Sequence, residues 1–181
     1  MISIEISSKF KKELMSFPGG ENVKNCIQCG SCSGSCSVSR FNPKFDPQRI
    51  MKLVLLGQES ILTDETIWEC SRCYLCSDRC PENANPAGVI RVLKQLAIVK
   101  QIASGTGYKH TKAIAHSIKR YKHLDEFRVI FKTMGYSIKL AINYTPQGLR
   151  MLFKGKLPLP TIFSHHDDVL KEIFSNFCVG K

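Results

Sequence analysis

The sequence predicts an all-α protein, on three observations. Apolar residues recur at spacings of three and four, in segments opened by capping residues and closed by glycines. No two alternating apolar runs flank a turn dipeptide, so no strand hairpin is read. Two cysteine runs of one spacing are separated by 33 residues, 37–69, holding two helix signals. A small domain of short strands has no use for such a segment.

A short helix is predicted over 8–17, with Phe10, Leu14 and Phe17 on one face and Lys9, Lys11 and Lys12 outside; Pro18-Gly19-Gly20 ends it. The stretch 26–36, rich in Gly and Ser, is expected to be too irregular for a helix. Asp46-Pro47 sets a cap and a first-turn proline ahead of Ile50, Met51, Leu53, Val54, Leu55 and Leu56, and Gly57 stops that helix. Thr63-Asp64 begins a helical turn through Ile67 and Trp68. Asn85-Pro86 opens the longest helix, striped by Val89, Ile90, Leu93, Leu96, Ala97, Lys100 and Ile102, with Gly105 and Gly107 expected to close it. Further helices are expected over 109–121, 124–133, 146–153 and 165–177. The last opens at Ser164 three residues before Asp167, a capping-box spacing, and carries Val169, Leu170, Ile173, Phe174 and Phe177. A rigid connector, 155–160, precedes it. The expected organisation is an N-terminal helical segment 1–20, a cysteine-bearing domain 21–105 and a basic helical extension 106–181.

Composition narrows the class. The chain has 181 residues, 43% of them hydrophobic, which is enough for a packed core. Arg91, Lys94, Gln95 and Lys100 interrupt its longest apolar stretch, and a spanning helix needs about 20 predominantly apolar residues. The opening Met1-Ile2-Ser3-Ile4-Glu5 lacks the charged-then-apolar pattern of a secretory signal, so a cytoplasmic location is expected. The net charge of +11 is uneven: residues 1–100 hold 13 basic and 10 acidic residues, and 101–181 hold 13 and 5. A surface as basic as the second half suits nucleic acid or an acidic protein, and charge does not choose between them.

The chemistry lies in the cysteines. Eight of the nine form the runs Cys26, Cys29, Cys32, Cys36 and Cys70, Cys73, Cys76, Cys80, each C-x2-C-x2-C-x3-C, and Pro81 follows only the second. Clustered cysteines in a reducing compartment point to metal or redox work rather than disulfides. This spacing is the bacterial ferredoxin pattern, whose fourth cysteine ligates the other cluster. Three thiolates spaced by three wrap one face of an iron–sulfur cube, and the fourth iron needs a ligand from another direction. One 4Fe–4S cluster is therefore assigned Cys26, Cys29, Cys32 and Cys80. The other takes Cys70, Cys73, Cys76 and Cys36. The competing reading, two structural zinc sites, fits poorly, because zinc frameworks use separated C-x2-C pairs. Small neighbours (Gly30, Ser31, Ser33, Gly34, Ser35) let backbone N–H groups approach sulfur, and Trp68, Tyr74 and Leu75 are placed to exclude water. The fold class is thus an alpha-helical ferredoxin domain with two 4Fe–4S clusters plus a C-terminal helical extension.

Weaker features take plainer readings. Cys178 has no neighbouring ligands and reads as a free thiol near a terminus. His165-His166-Asp167-Asp168 reads as a helix start with acids at its positive end. His110, His116 and His123, spaced by six and seven, do not share a helix face. Lys109, Lys112, Lys119, Arg120 and Lys122 make a basic stretch whose default is a solvated face, with docking to an acidic partner next. No nucleotide fingerprint, phosphate loop or nucleophile–base pair is present, and no catalytic residue is assigned.

With these motifs in hand the chain resembles the iron–sulfur C subunits of the soluble heterodisulfide reductases of methanogenic archaea, over about residues 20 to 175. The resemblance rests on the two cysteine runs, on Ile67-Trp68 before the second, on Pro86-x-Gly88-Val89-Ile90 and on Gly155-Lys156-Leu157-Pro158. It implies a non-catalytic electron-relay subunit of an oxidoreductase. In that family a flavin-bearing, iron–sulfur A subunit passes electrons through this relay to the catalytic B subunit, which reduces the coenzyme M–coenzyme B heterodisulfide in methanogenesis. It also implies hydrogenase or formate dehydrogenase as members of a larger complex, and no membrane. Similar cysteine patterns serve glycolate oxidase and fumarate reductase, so an iron–sulfur subunit of another cytosolic oxidoreductase is the alternative. A zinc or iron–sulfur nucleic-acid-binding module ranks below it. Ser37 stands where a proline could follow the fourth cysteine, which bears only on the exit path.

Overall fold

The computed structural model describes residues 7–121, 124, 126–134, 146, 150, 153 and 154. Among them every regular element is helical, and no strand occurs. The chain divides into two compact units, Met1–Ser104 and Gly105–Lys181.

In the first unit, α1 (Ser8–Met15) starts where the Ser7 hydroxyl accepts from Phe10 N–H at 3.2 Å, and it buries Phe10 and Leu14. It stops two residues short of the predicted end. Helix α2 (Ser31–Gly34) and α3 (Ser37–Phe41) are single turns. The first corrects the expectation of an irregular run: the residues after Gly30 close a helical turn around Cys32.

Helix α4 (Pro47–Leu55) begins as predicted, with the Asp46 carboxylate accepting from Gln48 N–H at 2.9 Å and Pro47 in the first turn. Ile50, Met51 and Val54 are buried. Gly57, at φ 70°, turns the chain left-handed, so that Gly57 N–H reaches Val54 O and Gln58 N–H reaches Leu53 O, both at 2.9 Å. A Cβ there would lie 2.7 Å from Ser7 O. Only glycine fits this crossing of the α4 end with the α1 start.

Two 3₁₀ turns, Glu59–Thr63 and Glu65–Glu69, bury Ile61, Leu62, Ile67 and Trp68 and deliver the chain to Cys70. After the single turn α5 (Leu75–Asp78) comes α6 (Pro86–Val99), capped by the Asn85 side chain on Gly88 N–H at 3.2 Å. Ala87, Val89, Ile90, Val92, Leu93, Leu96 and Ala97 are all buried, so α6 is the central post, and α1, α4, α5 and the 3₁₀ turns pack around it. It ends earlier than Gly105. Gln101 takes φ 58°, Gln101 N–H bonds Ile98 O at 3.0 Å and Ile102 N–H bonds Ala97 O at 3.0 Å. That is the same closing motif as on α4, made without glycine. Lys100 then bonds Glu13 at 2.8 Å and Glu59 at 2.6 Å, clamping α1 and the first 3₁₀ turn to the end of α6. Both partners hold its ammonium pKa up.

In the second unit, α7 (Gly105–Tyr121) packs on α8 (Glu126–Met134), with Ala113, Ser117 and Val129 buried and His110 Nδ1 3.1 Å from Thr133 Oγ1. Gly105 thus opens a helix where it was expected to close one. Lys109, Lys112 and Lys119 are exposed along α7, as is His116. The expected helix over 165–177, the connector 155–160, Cys178, His123, Lys122, His165 and His166 lie outside the described residues. Of the span 146–153, only 146, 150 and 153 are described, and they are helical.

Candidate iron–sulfur centre

The two cysteine runs repeat one backbone. The first follows the 3₁₀ turn Glu21–Asn25 and the second follows Glu65–Glu69. The residue before each second cysteine is left-handed, Gln28 at φ 61° and Arg72 at φ 56°. So is the residue after it, Gly30 at φ 82° and Tyr74 at φ 62°. Each run then closes one helical turn, α2 or α5, that carries the third cysteine inward as buried Cys32 or Cys76. Left-handed residues on both sides of the second cysteine curl the main chain of each run. The left-handed state costs a non-glycine residue about 1–2 kcal/mol, so three such residues at matched positions mark a shape that both runs need.

The curled runs face two cavities, each with about 320 Å3 of empty space, solvent at the mouth included. Cys26, Cys29, Cys32 and Cys80 line one, with Gln48, Glu82 and Pro86. Cys36, Cys70, Cys73 and Cys76 line the other, with Val38, Phe45, Pro47, Tyr74, Ala87 and Ile90. Each cavity therefore takes three cysteines from one run and the fourth from the other. Cys32 and Cys76 share a buried cluster with Ala87, which makes them the wall between neighbouring cavities. Cys29 and Cys73 are exposed at the mouths, beside Ile27, 62% exposed, and Tyr74, 48% exposed. Among the described residues no three His, Cys, Asp or Glu side chains close on one ion, and the sulfurs edge a wider space.

Sulfur contacts are richest in the first cavity. Gln28 Nε2 donates to Cys26 Sγ at 3.2 Å, Ala84 N–H to Cys80 Sγ at 3.3 Å, and the Ser31 hydroxyl meets Cys29 Sγ at 3.3 Å. Gln48 Nε2 donates to Gln28 O at 2.7 Å and so steadies the left-handed turn. The Ser33 hydroxyl bonds the Asp46 carboxylate and accepts from Gln48 N–H at 2.9 Å, lacing the run to the α4 start.

The thiols differ with their surroundings. Hydrogen bonds from Ser31, side chain then backbone, lower the pKa of Cys29. Burial raises that of Cys32. Burial first, then the charge of Cys70, pushes Cys76 up to about 11. Four sulfurs around one space repel as thiolates, and the buried ones hold their protons until a cation replaces them. A cofactor with several iron ions supplies that charge at several corners.

Some site residues were not foreseen. Phe45, Pro47, Gln48, Ala87 and Ile90 line the cavities, yet in the sequence Pro47 reads only as a helix start and Ile90 as part of a helix stripe, and the other three carry no signal. Of the three residues expected to exclude water, Tyr74 lines a cavity. Trp68 is buried under Lys94 and Leu75 is exposed, and neither lines one. Gly30 and Ser31 do line a cavity, whereas Ser33 and Ser35 spend their hydroxyls on Asp46 and on the Ser31 and Cys32 carbonyls. The exit paths also differ: Cys36 leads into α3, and Cys80-Pro81 into a turn with Asn83 at φ 50°.

A helical scaffold with two adjacent four-cysteine cavities defines a two-cluster iron–sulfur domain, and residues 22–84 match the family model of the 4Fe–4S dicluster domain. Such a domain carries two 4Fe–4S clusters. Over part of its length the chain is similar to C subunits of heterodisulfide reductases. It is 36% identical over 115 residues to the C subunit of the ferredoxin:CoB-CoM heterodisulfide reductase of Methanosarcina acetivorans, covering 64% of this chain and 43% of that one. It is 35% identical over 140 residues to an iron-sulfur C subunit of the CoB–CoM heterodisulfide reductase of Methanocaldococcus jannaschii, covering 77% and 62%. A third relative, the C2 subunit of the H(2)/formate:CoB-CoM heterodisulfide,ferredoxin reductase of Methanococcus maripaludis, is 33% identical over 103 residues, covering 53% and 55%. The chain thus spans about half the length of these relatives.

Proposed function

We propose that this chain is the electron-relay subunit of a heterodisulfide reductase. It takes electrons from a flavin-bearing subunit and passes them to a catalytic subunit that reduces the coenzyme M–coenzyme B disulfide, in the cytoplasm. The observation that carries the reading is the sorting of eight cysteines into two neighbouring sets of four, with one cysteine of each set exchanged between runs. Cys26, Cys29, Cys32 and Cys80 hold one cluster, and Cys70, Cys73, Cys76 and Cys36 hold the other. Each cluster supplies one-electron redox chemistry at a potential set by its protein surroundings.

The chain's own residues hold, space and screen. The Cys32–Cys76–Ala87 wall keeps the centres adjacent, which suits passage from one to the other. Phe45, Pro47 and Ile90 keep water from the second cavity, and exposed Cys29 and Cys73 give each cavity an outward side. Gln28, Ser31 and Ala84 offer hydrogen bonds to sulfur that favour the more negative, reduced state. The basic segment 106–181 serves as a docking surface for partner proteins of the complex. The names of the relatives support hydrogenase or formate dehydrogenase as further members of the assembly.

Native isolation under anaerobic conditions tests the reading. The expected result is about eight irons per chain, reducible clusters, and co-purifying flavin and catalytic subunits. Zinc, or no redox-active metal, overturns it. Co-purification with a glycolate-oxidase-type or fumarate-reductase-type chain moves the protein to another oxidoreductase.

A further inference from the structure

The charges around the two cavities differ, and the difference centres on Lys94. Helix α6 lends Ala87 and Ile90 to the lining of the second cavity, and Lys94 follows Ile90 by one helical turn. Its ammonium donates to the main-chain oxygen of Cys70 at 3.2 Å and lies 5.8 Å from the centroid of the buried Trp68 ring. Lys94 is half-buried, and among the described residues no carboxylate forms an ion pair with it. A second cation, Arg72, between Cys70 and Cys73, adds its field at Lys94. The first cavity has Gln28 at the position of Arg72, and the charged residue in its lining is Glu82.

A half-buried ammonium carries a desolvation cost that a carbonyl and a ring face offset only in part. A neighbouring centre whose negative charge increases on reduction completes the compensation. We infer that Lys94 raises the reduction potential of the cluster held by Cys36, Cys70, Cys73 and Cys76 while leaving the other cluster nearly unchanged. The inference rests on the ligand sets proposed above. Reduction adds one electron to the cluster from a low-potential donor, and no bond or proton changes at Lys94. Lys94 acts through the field at Cys70 and is a positioning residue. Exposed Arg72 adds the same sign more weakly, because water screens it.

The test uses the full chain prepared anaerobically with both clusters, poised at a series of potentials with dithionite and mediators and read by electron paramagnetic resonance. In Lys94→Met, which keeps the length and removes the charge, one cluster's oxidised-to-reduced ratio at fixed potential rises about tenfold. For a one-electron couple that is a downward shift of about 59 mV. The signal that moves is the one lost in Cys73→Ala, and Lys94→Arg stays near the parent. Lys94→Gln repeats the measurement if the methionine variant does not fold. The inference fails if neither signal moves, if both move together, or if the arginine variant shifts as far as the methionine one. A parent chain without iron defeats the ligand reading itself, whereas full iron with unmoved potentials defeats only the role of Lys94.

Discussion

Exchange of the fourth cysteine has a thermodynamic signature beyond spectroscopy. On the proposed ligand sets Cys80 binds the first-run cluster and Cys36 the second-run cluster, so that the two runs are tied together twice. Thirty-three residues, 37–69, lie between the nearest tied positions, Cys36 and Cys70. In Cys36→Ala one tie goes, yet the first-run cluster still holds Cys80 and the loop stays closed. In Cys80→Ala the reverse applies. The double variant opens the loop, and by chain-entropy arithmetic the last cross-link over about 35 residues is worth about 4 kcal/mol. Each single substitution therefore costs one ligand, and the pair costs one extra loop closure. Thermal unfolding in an anaerobic cell should show the double variant less stable than the sum of the singles. Spectra of Cys36→Ala should match those of Cys73→Ala, and spectra of Cys80→Ala those of Cys29→Ala. Additive losses, or spectra that pair Cys36 with Cys29, refute the exchange.

Two further outcomes follow from backbone and proton chemistry. Gly30→Ala forces an L-residue to φ 82° and sets its Cβ 3.2 Å from Gln48 Oε1, so unfolding should show a loss of about 1–2 kcal/mol, with faster iron loss to chelator from the first-run cluster. An unchanged melting point refutes that strain. In the cluster-free chain, the thiol of Cys76 is raised from 9.0 to about 11, so the folded form keeps a proton that the unfolded form sheds. Its contribution to stability is full below pH 9 and is lost as pH rises through about 11. Alkylation mapped by mass spectrometry against pH should label exposed Cys29, whose pKa is lowered, well before Cys76. Simultaneous labelling refutes the burial argument.

The helix signals that held were those written in local chemistry. Asp46-Pro47 and Asn85-Pro86 supply cap acceptors and prolines that need no tertiary partner, and both starts were legible. Gly57 announced the end of α4, because glycine is the usual occupant of a left-handed terminator. The end of α6 was not legible, since Gln101 fills the same role and carries no such preference. Ala97 and Ile98 carbonyls are captured there by the next N–H groups, and Gly105 was left free to open α7. The cysteine spacing is legible as two runs of four, and the linings of the two cavities draw on both runs. The cavity walls were not legible, because Phe45, Gln48 and Ile90 reach the site only after α4 and α6 pack. Gln28, Arg72 and Tyr74 gave no hint of left-handed backbone, since the residue types resist it. What holds them there is the curl of the run around its cavity.

That curl explains why a helical scaffold suits this pair of sites. A 4Fe–4S cluster with four thiolates carries net negative charge, and a chain bringing two of them together must offset the repulsion. The first turns of both long helices of the unit lie at the cavities. Pro47 of α4 lines the second and Gln48 the first, while Pro86 of α6 lines the first and Ala87 the second. Both helices therefore point their positive dipole ends at the seam, with the N–H groups of Gln48, Ala87 and Gly88 already capped by Asp46, Ser33, Ser77 and Asn85, an effect of about 0.3–1 kcal/mol per helix. A proline in the first turn costs no hydrogen bond there and brings an apolar ring against the site. The same two prolines that start the helices in the sequence thus form part of the cluster walls. Folding of the core and construction of the relay cannot be separated in this domain: a substitution that shifts the start of α4 or α6 disturbs both cavities at once.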